Sequence, residues 1–221
     1  MSHVPLARLA DATGLAAFDS SVVVLDLTQD RYSLFEGHAA RTLIALRDGR
    51  PVEPCDPIIR TLARKGLVSF DSPMPGPWLD MDDLTEAQES ALEGPDTSTV
   101  LDPGQAAAAI ACVKARIDLR RRDLRGLLET FPTNLRGRPL AQLIDLARRF
   151  DRGRRLAPVK PRCLPDTFAF VRCARRRGHA VVMVFGVKLY PFEAHCWAQA
   201  GSLVLTDPLD RVRRFKPILA L

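Results

Sequence analysis

The 221-residue sequence predicts an α+β fold in two modules: a small winged-helix-like unit over residues 1–72 and a larger mixed domain over residues 105–221. Three observations predict it. Within the first 70 residues a β-rich run gives way to helical spacing of apolar residues. Residues 71–104 hold nine Asp/Glu, five prolines and no Lys/Arg, the composition of a spacer. Charge divides at the same place: residues 1–104 carry 8 Lys/Arg against 17 Asp/Glu, and residues 105–221 carry 24 against 9. The net charge of +6 therefore conceals an acidic half and a basic one.

Several function classes are disfavoured. No apolar run approaches the roughly 20 residues of a membrane helix, and the N-terminus lacks the basic and apolar regions of a secretory signal. Five cysteines without framework spacing suit free thiols in a reducing compartment, so a cytoplasmic location is expected. The sequence has no glycine-rich phosphate loop. It also has no close ligand pair of the Cys-x-x-Cys kind, and Cys163, Cys173, His179 and His195 are too scattered for zinc. Neither a metal nor a directly bound cofactor is expected. Nucleic acid is not expected as a partner either: the basic half lacks interleaved aromatics, and residues 1–70 balance 8 basic against 8 acidic side chains.

A short strand is expected near Val4–Leu9, with a loop after it. Ser21–Leu27 and Arg31–Phe35 read as a hairpin about a three-residue loop, Thr28-Gln29-Asp30. From His38 the period becomes helical, with Ala39, Leu43, Ile44 and Leu46, and Asp48-Gly49 ends that helix. A second helix fits Asp56–Lys65, with Asp56 as N-cap, Pro57 first in the helix and Gly66 past its end; Ile58, Ile59 and Leu62 would face inward. Leu67–Phe70 reads as a short strand or wing. Residues 73–104 are assigned as the acidic linker, with a possible short helix across Leu84–Leu92.

The second module opens with a helical region, Gln105–Thr130, carrying Ile110, Val113, Ile117, Leu124 and Leu127 at helical spacings. A helix over Pro139–Phe150 follows, then a basic loop over Asp151–Pro161. Cys163 begins the next helix, because Pro165 is tolerated only in a first turn. A thiol at a helix start meets the positive end of the dipole and free N–H groups, which lower its pKa. A strand at Val181–Val187 precedes a hairpin folded about Gly201, in which His195 and Asp207 face each other. That pairing would let Asp207 orient His195 toward Cys163, a nucleophile, base and orienter drawn from separate elements. Trp197 shares the His195 face and Cys196 takes the opposite one.

Two resemblances sharpen this picture. Cys163-Leu164, Phe185-Gly186-Val187 and Pro191-Phe192-Glu193-Ala194-His195-Cys196-Trp197 with Asp207 resemble the leader peptidases of lasso-peptide biosynthesis (the B proteins), cysteine proteases of transglutaminase-like, papain-like fold. The resemblance implies Cys163 as nucleophile, His195 as base and Asp207 as orienter. It also implies a lasso precursor peptide as substrate, with Thr second to last in its leader. A cyclase partner similar to asparagine synthetases is implied too, through which activity could depend indirectly on ATP. The chain departs from the family at Cys196, commonly Ala, at Gln199, usually acidic, and after Cys163, where Arg and Ser are more usual than Leu and Pro. The run from Val24-Leu25-Asp26-Leu27 through Arg31-Tyr32 resembles the peptide-recognition element of ribosomal-peptide pathways, similar to the peptide chaperone of pyrroloquinoline quinone biosynthesis. It implies leader capture by strand addition, involving Arg31, Tyr32, Leu34, Ile59, Arg60 and Arg64. Acyl transfer and a non-catalytic peptide carrier or winged-helix regulator remain open alternatives.

Overall fold

The computed structural model describes residues 7–53, 56–70, 78–94, 102–133, 135 and 138–221. It divides into two units, Met1–Trp78 and Leu79–Leu221. No helix among the described residues is long and apolar enough to cross a membrane.

The first unit contains β1 (Arg8–Leu9), β2 (Thr13–Ala17), β3 (Ser21–Asp26), β4 (Arg31–Glu36), α1 (Gly37–Arg47), α2 (Pro57–Arg64) and β5 (Val68–Ser69). The expected hairpin is two thirds of a three-stranded antiparallel sheet in the order β2-β3-β4. Its third strand, Thr-Gly-Leu-Ala-Ala, was expected as loop. Gly and Ala are poor strand formers, so pairing with β3 makes this segment extended, not local preference. Asp26 pairs with Arg31, leaving a turn of Leu27–Asp30, one residue longer than expected. Asp26 Oδ1 accepts from the backbone N–H groups of Thr28 and Gln29, which accommodates the extra residue. Val22 and Val24 pack with Leu43 and Leu46 of α1 and with Ile59 and Leu62 of α2. The α2 cap is as expected: Asp56 Oδ1 accepts from Ile58 N–H at 2.8 Å. Asp56 also meets His38 Nε2 at 2.9 Å, a partner not visible in the sequence. The expected strand near Val4–Leu9 appears as β1, paired with β5; its first residues lie outside those described.

The second unit contains β6 (Glu89–Ser90), α3 (Pro103–Arg121), α4 (Leu124–Glu129), α5 (Leu140–Arg155), α6 (Cys163–Arg176), β7 (Val182–Lys188), β8 (Glu193–Ala200), β9 (Leu203–Val204), α7 (Leu209–Val212) and β10 (Lys216–Ala220). Its sheet runs β10-β7-β8-β9-β6, antiparallel except that β6 lies parallel to β9. Helix α6 is buried along most of its length, packed against α3 on one side and β8 on the other. Phe168 stacks on Phe131 and Phe170 meets Phe150 edge-on, with centroids 5.1 and 5.3 Å apart.

The stretch expected as a solvated spacer over 73–104 is, where described from Leu79 to Gly94, part of this unit. Leu79 N–H donates to Ala220 C=O, Gln199 Nε2 donates to Thr85 C=O, and Leu79, Met81 and Leu84 pack on a core containing Trp197 and Phe215. Acidic composition misled here because Asp80, Asp82, Asp83 and Glu86 stay solvent-facing while the apolar residues between them dock. No helix covers Leu84–Leu92; Glu89–Ser90 is a strand and Met81–Asp83 a single 3₁₀ turn.

The helical region 105–130 breaks into α3 and α4, where Asp123 caps the second helix through Gly126 N–H at 2.7 Å. The α3 face turned inward is small, Ala108, Cys112 and Ala115, whereas Ile110 is 67 % exposed. Close crossing explains that choice: a Cβ at Gly153 of α5 would lie 2.4 Å from Gln105 C=O and 2.7 Å from Ala108 Cβ. Helix α5 continues to Arg155, into the first part of the expected basic loop. Arg154 and Arg155 bind Asp151 from three and four positions on, within one helical face.

Candidate functional site

Cys163 is the first residue of α6, with Arg162 as N-cap and Pro165 inside the first turn. No Ser, Thr, Asp or Asn occupies the cap. Instead the carboxylate of Asp166 reaches back to Arg162 N–H at 3.0 Å, and Arg116 holds its other oxygen at 3.2 Å while donating also to Lys160 C=O. The helix start is thereby held from both sides, and with it the thiol.

His195 lies on β8, directly opposite Gly186 of β7. A Cβ at Gly186 would come within 2.6 Å of the Trp197 ring and 3.0 Å of Phe215 Cβ. The absence of a side chain there admits Trp197 and Phe215, whose rings lie 6.3 and 5.1 Å from the imidazole centroid. These two rings flank the histidine, which is 3 % exposed.

His195 Nε2 meets Asp207 Oδ1 at 3.0 Å, a buried contact. The expected hairpin register does not produce it. Gln199 pairs with Val204 and Ala200 with Leu203, a two-residue turn at Gly201-Ser202 that is out of step with a fold about Gly201. Strand β9 ends at Val204, and Ala198 N–H is then taken by the Thr206 hydroxyl at 2.9 Å. Leu205 N–H still donates to Ala198 C=O at 2.8 Å, so the Thr206 hydroxyl replaces one half of the last ladder pair, and the chain then turns so that Asp207 reaches the imidazole. Thr206 Oγ1 also donates to Asp207 Oδ2 at 3.1 Å, and Ser90 Oγ donates to Asp207 C=O at 2.8 Å. Arg211 Nη1 stands 3.7 Å from Asp207 Oδ1.

With Nε2 engaged, His195 Nδ1 is left buried and without a hydrogen-bond partner. It is the nitrogen available to Cys163, with which the imidazole interacts electrostatically. Cys196, expected to point away from this group, has its thiol against that of Cys163. The backbone accounts for this difference. The backbone bonds between β8 and the chain after β9 end at Ala198, so the edge of β8 is clear at residue 196, and the Cys163 sulfur sits there at the Cys196 N–H. A thiol at a strand edge meets side chains from both faces.

These neighbours set the charges. The Cys196 thiol favours the thiolate, burial opposes ionisation, and the neighbouring positive charge of His195 adds to the first effect, bringing Cys163 down to about 4. Burial disfavours the imidazolium, yet Asp207 and Cys163 outweigh it and push His195 up to about 9. Burial holds the Cys196 thiol far above its ordinary range. A thiolate–imidazolium pair follows. It opens on a cleft of about 120 Å³ lined by Phe150, Asp151, Thr167, Leu205 and Arg211 besides the three residues themselves.

The structure brings Cys163, His195 and Asp207 together. Arg31, Tyr32 and Leu34 lie on β4, an edge strand of its sheet, and α1 is the helix packed on that strand. Arg60 and Arg64 are exposed on α2, which packs against α1 and β5. Ile59 is 0 % exposed and belongs to the core, so it cannot touch a peptide in this conformation. Sequence reasoning missed Ser90, Thr206 and the orientation of Cys196. Thr206 adjoins Asp207 and could have been suspected; Ser90 acts across 117 residues and carries no local signal. Cys112 is inert, buried and pushed up to about 12, and Cys55 lies outside the described residues.

No curated protein and no solved structure matches the chain. A family model, the transglutaminase-like superfamily, matches residues 106–220, just over half of the sequence and the part that contains Cys163, His195 and Asp207. On that match, the chain belongs to the transglutaminase-like superfamily.

Proposed function

We propose that this chain is a cysteine peptidase that removes the leader from a ribosomally made lasso-peptide precursor. The observation that carries the catalytic part is the buried Nδ1 of His195, left for the Cys163 thiol once Asp207 has taken Nε2. The superfamily is consistent with cysteine-protease-like or acyl-transferase-like activity. The choice of a lasso precursor rests on the resemblance carried by Phe185-Gly186-Val187 and Pro191 to Trp197.

In this reading the Cys163 thiolate attacks the carbonyl of the leader–core bond. The first turn of α6 has N–H groups without intrahelical acceptors, and these favour the oxyanion. His195 donates its proton to the departing core amine, then takes one from the water that hydrolyses the thioester. Asp207 stabilises the imidazolium throughout. The core amine passes to a cyclase similar to asparagine synthetases, the proposed source of any ATP dependence. The first unit binds the leader at the edge of β4 through Arg31, Tyr32 and Leu34, with exposed Arg60 and Arg64 as further contacts.

The test is mass spectrometry of a lasso-type precursor incubated with the protein. Wild type should release a leader with a free C-terminal carboxylate. Cys163→Ala should slow that release by at least about 10³-fold. An amine adduct on the leader would instead assign acyl transfer, and release at the wild-type rate by the variant would end the peptidase reading.

A further inference from the structure

Cys163 and Cys196 are free thiols on facing elements, one lining the cleft at the start of α6 and the other buried on β8, and each shifts the ionisation of the other. Thr167, one turn along α6 from Cys163, donates to Cys196 C=O at 3.2 Å and ties the helix to the strand at this point. In the proposed hydrolysis the Cys196 thiol favours the Cys163 thiolate but exchanges no proton and forms no bond. We propose that Cys163 and Cys196 form a reversible disulfide when the protein meets a hydroperoxide, so that the pair is an oxidation site that switches the thiol off.

The chemistry divides between the two sulfurs by burial. Cys163 borders the cleft and is held as a thiolate, the form that attacks peroxide. Its sulfur bonds to one peroxide oxygen, the O–O bond breaks, and the departing hydroxide takes the proton of His195. Sulfur is oxidised by two electrons to the sulfenic acid and the peroxide is reduced. Cys196, 2 % exposed and held protonated by burial, does not compete for oxidant. It resolves instead: its thiol proton leaves, its sulfur attacks that of Cys163, the S–O bond breaks, and the oxygen departs as water. The sum is two thiols and one hydrogen peroxide giving one disulfide and two waters.

The hydrogen bond from Thr167 to the Cys196 carbonyl holds the first turns of α6 against β8, the close backbone approach that a disulfide requires. Other pairings are disfavoured. Cys173 lies ten residues along the same helix, about 15 Å from Cys163, and Cys112 has its thiol against Asp166. The inference shares with the proposed peptidase an ionised Cys163 but is independent of any substrate.

The experiment is peptide mapping of the full chain after graded hydrogen peroxide, with free thiols alkylated and no reductant added. Trypsin separates the candidates, because Cys163 falls in 163–172, Cys173 in 173–175 and Cys196 in 189–211. Expected is a cross-link between 163–172 and 189–211, 2 Da below the two free thiols, lost on dithiothreitol with recovery of Cys163 alkylation. Cys196→Ala should instead drive Cys163 to the sulfinic acid, 32 Da heavier and not recovered. Accumulation of that sulfinic acid in wild type with Cys196 still alkylatable, or a cross-link to Cys173 in place of Cys196, would overturn the proposal. Iodoacetamide labelling of untreated protein at pH 6 separates the two readings: an unlabelled Cys163 counts against the ionised thiol that both need, whereas a labelled Cys163 that forms no disulfide counts against this inference alone.

Discussion

At Cys163 and His195 two ionisable groups each hold the other's charge in place. The Cys196 thiol with His195 brings the Cys163 thiol down to about 4, and Asp207 with Cys163 brings the imidazole up to about 9, so the ion pair persists between those limits. Below the lower limit the thiolate gains a proton and loses nucleophilicity; above the upper one the imidazolium loses the proton it would give the leaving amine. Cleavage should therefore follow a bell between about pH 4 and about pH 9, with iodoacetamide alkylation of Cys163 tracing the acid limb alone. Asp207→Asn removes the negative charge that raises His195. Its alkaline limb should move toward the ordinary histidine value near 6.5, with a fall in rate of about 10² or more. An unchanged alkaline limb in that variant would show that Asp207 does not stabilise the imidazolium.

Among the elements, α6 and β8 are positioned by what packs behind them. Helix α6 rests on α3, and α3 crosses α5 at Ala108 and Gly153 with no room for another carbon. A methyl group at Gly153 meets the backbone oxygen of Gln105, which cannot rotate away, so one of the helices must shift. Gly153→Ala should cost about 1–3 kcal/mol and lower the melting temperature by several degrees, despite alanine's higher helix propensity. Thermal unfolding followed by circular dichroism measures it; an unchanged or raised midpoint would mean that the helices are farther apart than described. Strand β8 has an analogous dependence on Gly186, which leaves space for the rings that wall His195.

For the whole molecule, the boundary between units falls between Trp78 and Leu79. Residues 79–94, which follow it, are structural. They add β6 to the sheet and supply Ser90 to Asp207, Glu93 Oε1 to Leu209 N–H, and the Ala91 carbonyl to Arg148. A chain beginning at Leu79 should unfold cooperatively, whereas one beginning at Gln105 should melt on the order of 10 °C lower or fail to fold, having lost several interactions of about 1 kcal/mol each. Equal midpoints for the two truncations would restore the spacer reading.

The sequence by itself determined features whose causes are local. Asp56-Pro57 starts a helix through its own side chain and ring. Pro165 restricts the start of α6 to the neighbourhood of Cys163, and Gly201-Ser202 turns β8 into β9. The order of thiol, imidazole and carboxylate along the chain is likewise legible in residue types. Contacts between distant residues were not. β2 is a strand because β3 pairs with it, residues 79–94 fold because a sheet and an apolar core receive them, and Cys196 meets Cys163 because β9 stops short. Even the contact between His195 and Asp207 is made by Thr206, which ends the strand ladder, and not by the hairpin register. Local backbone preferences extend over a few residues; a strand edge, a helix crossing or a hydrogen bond spanning 117 residues exists only once the chain is packed.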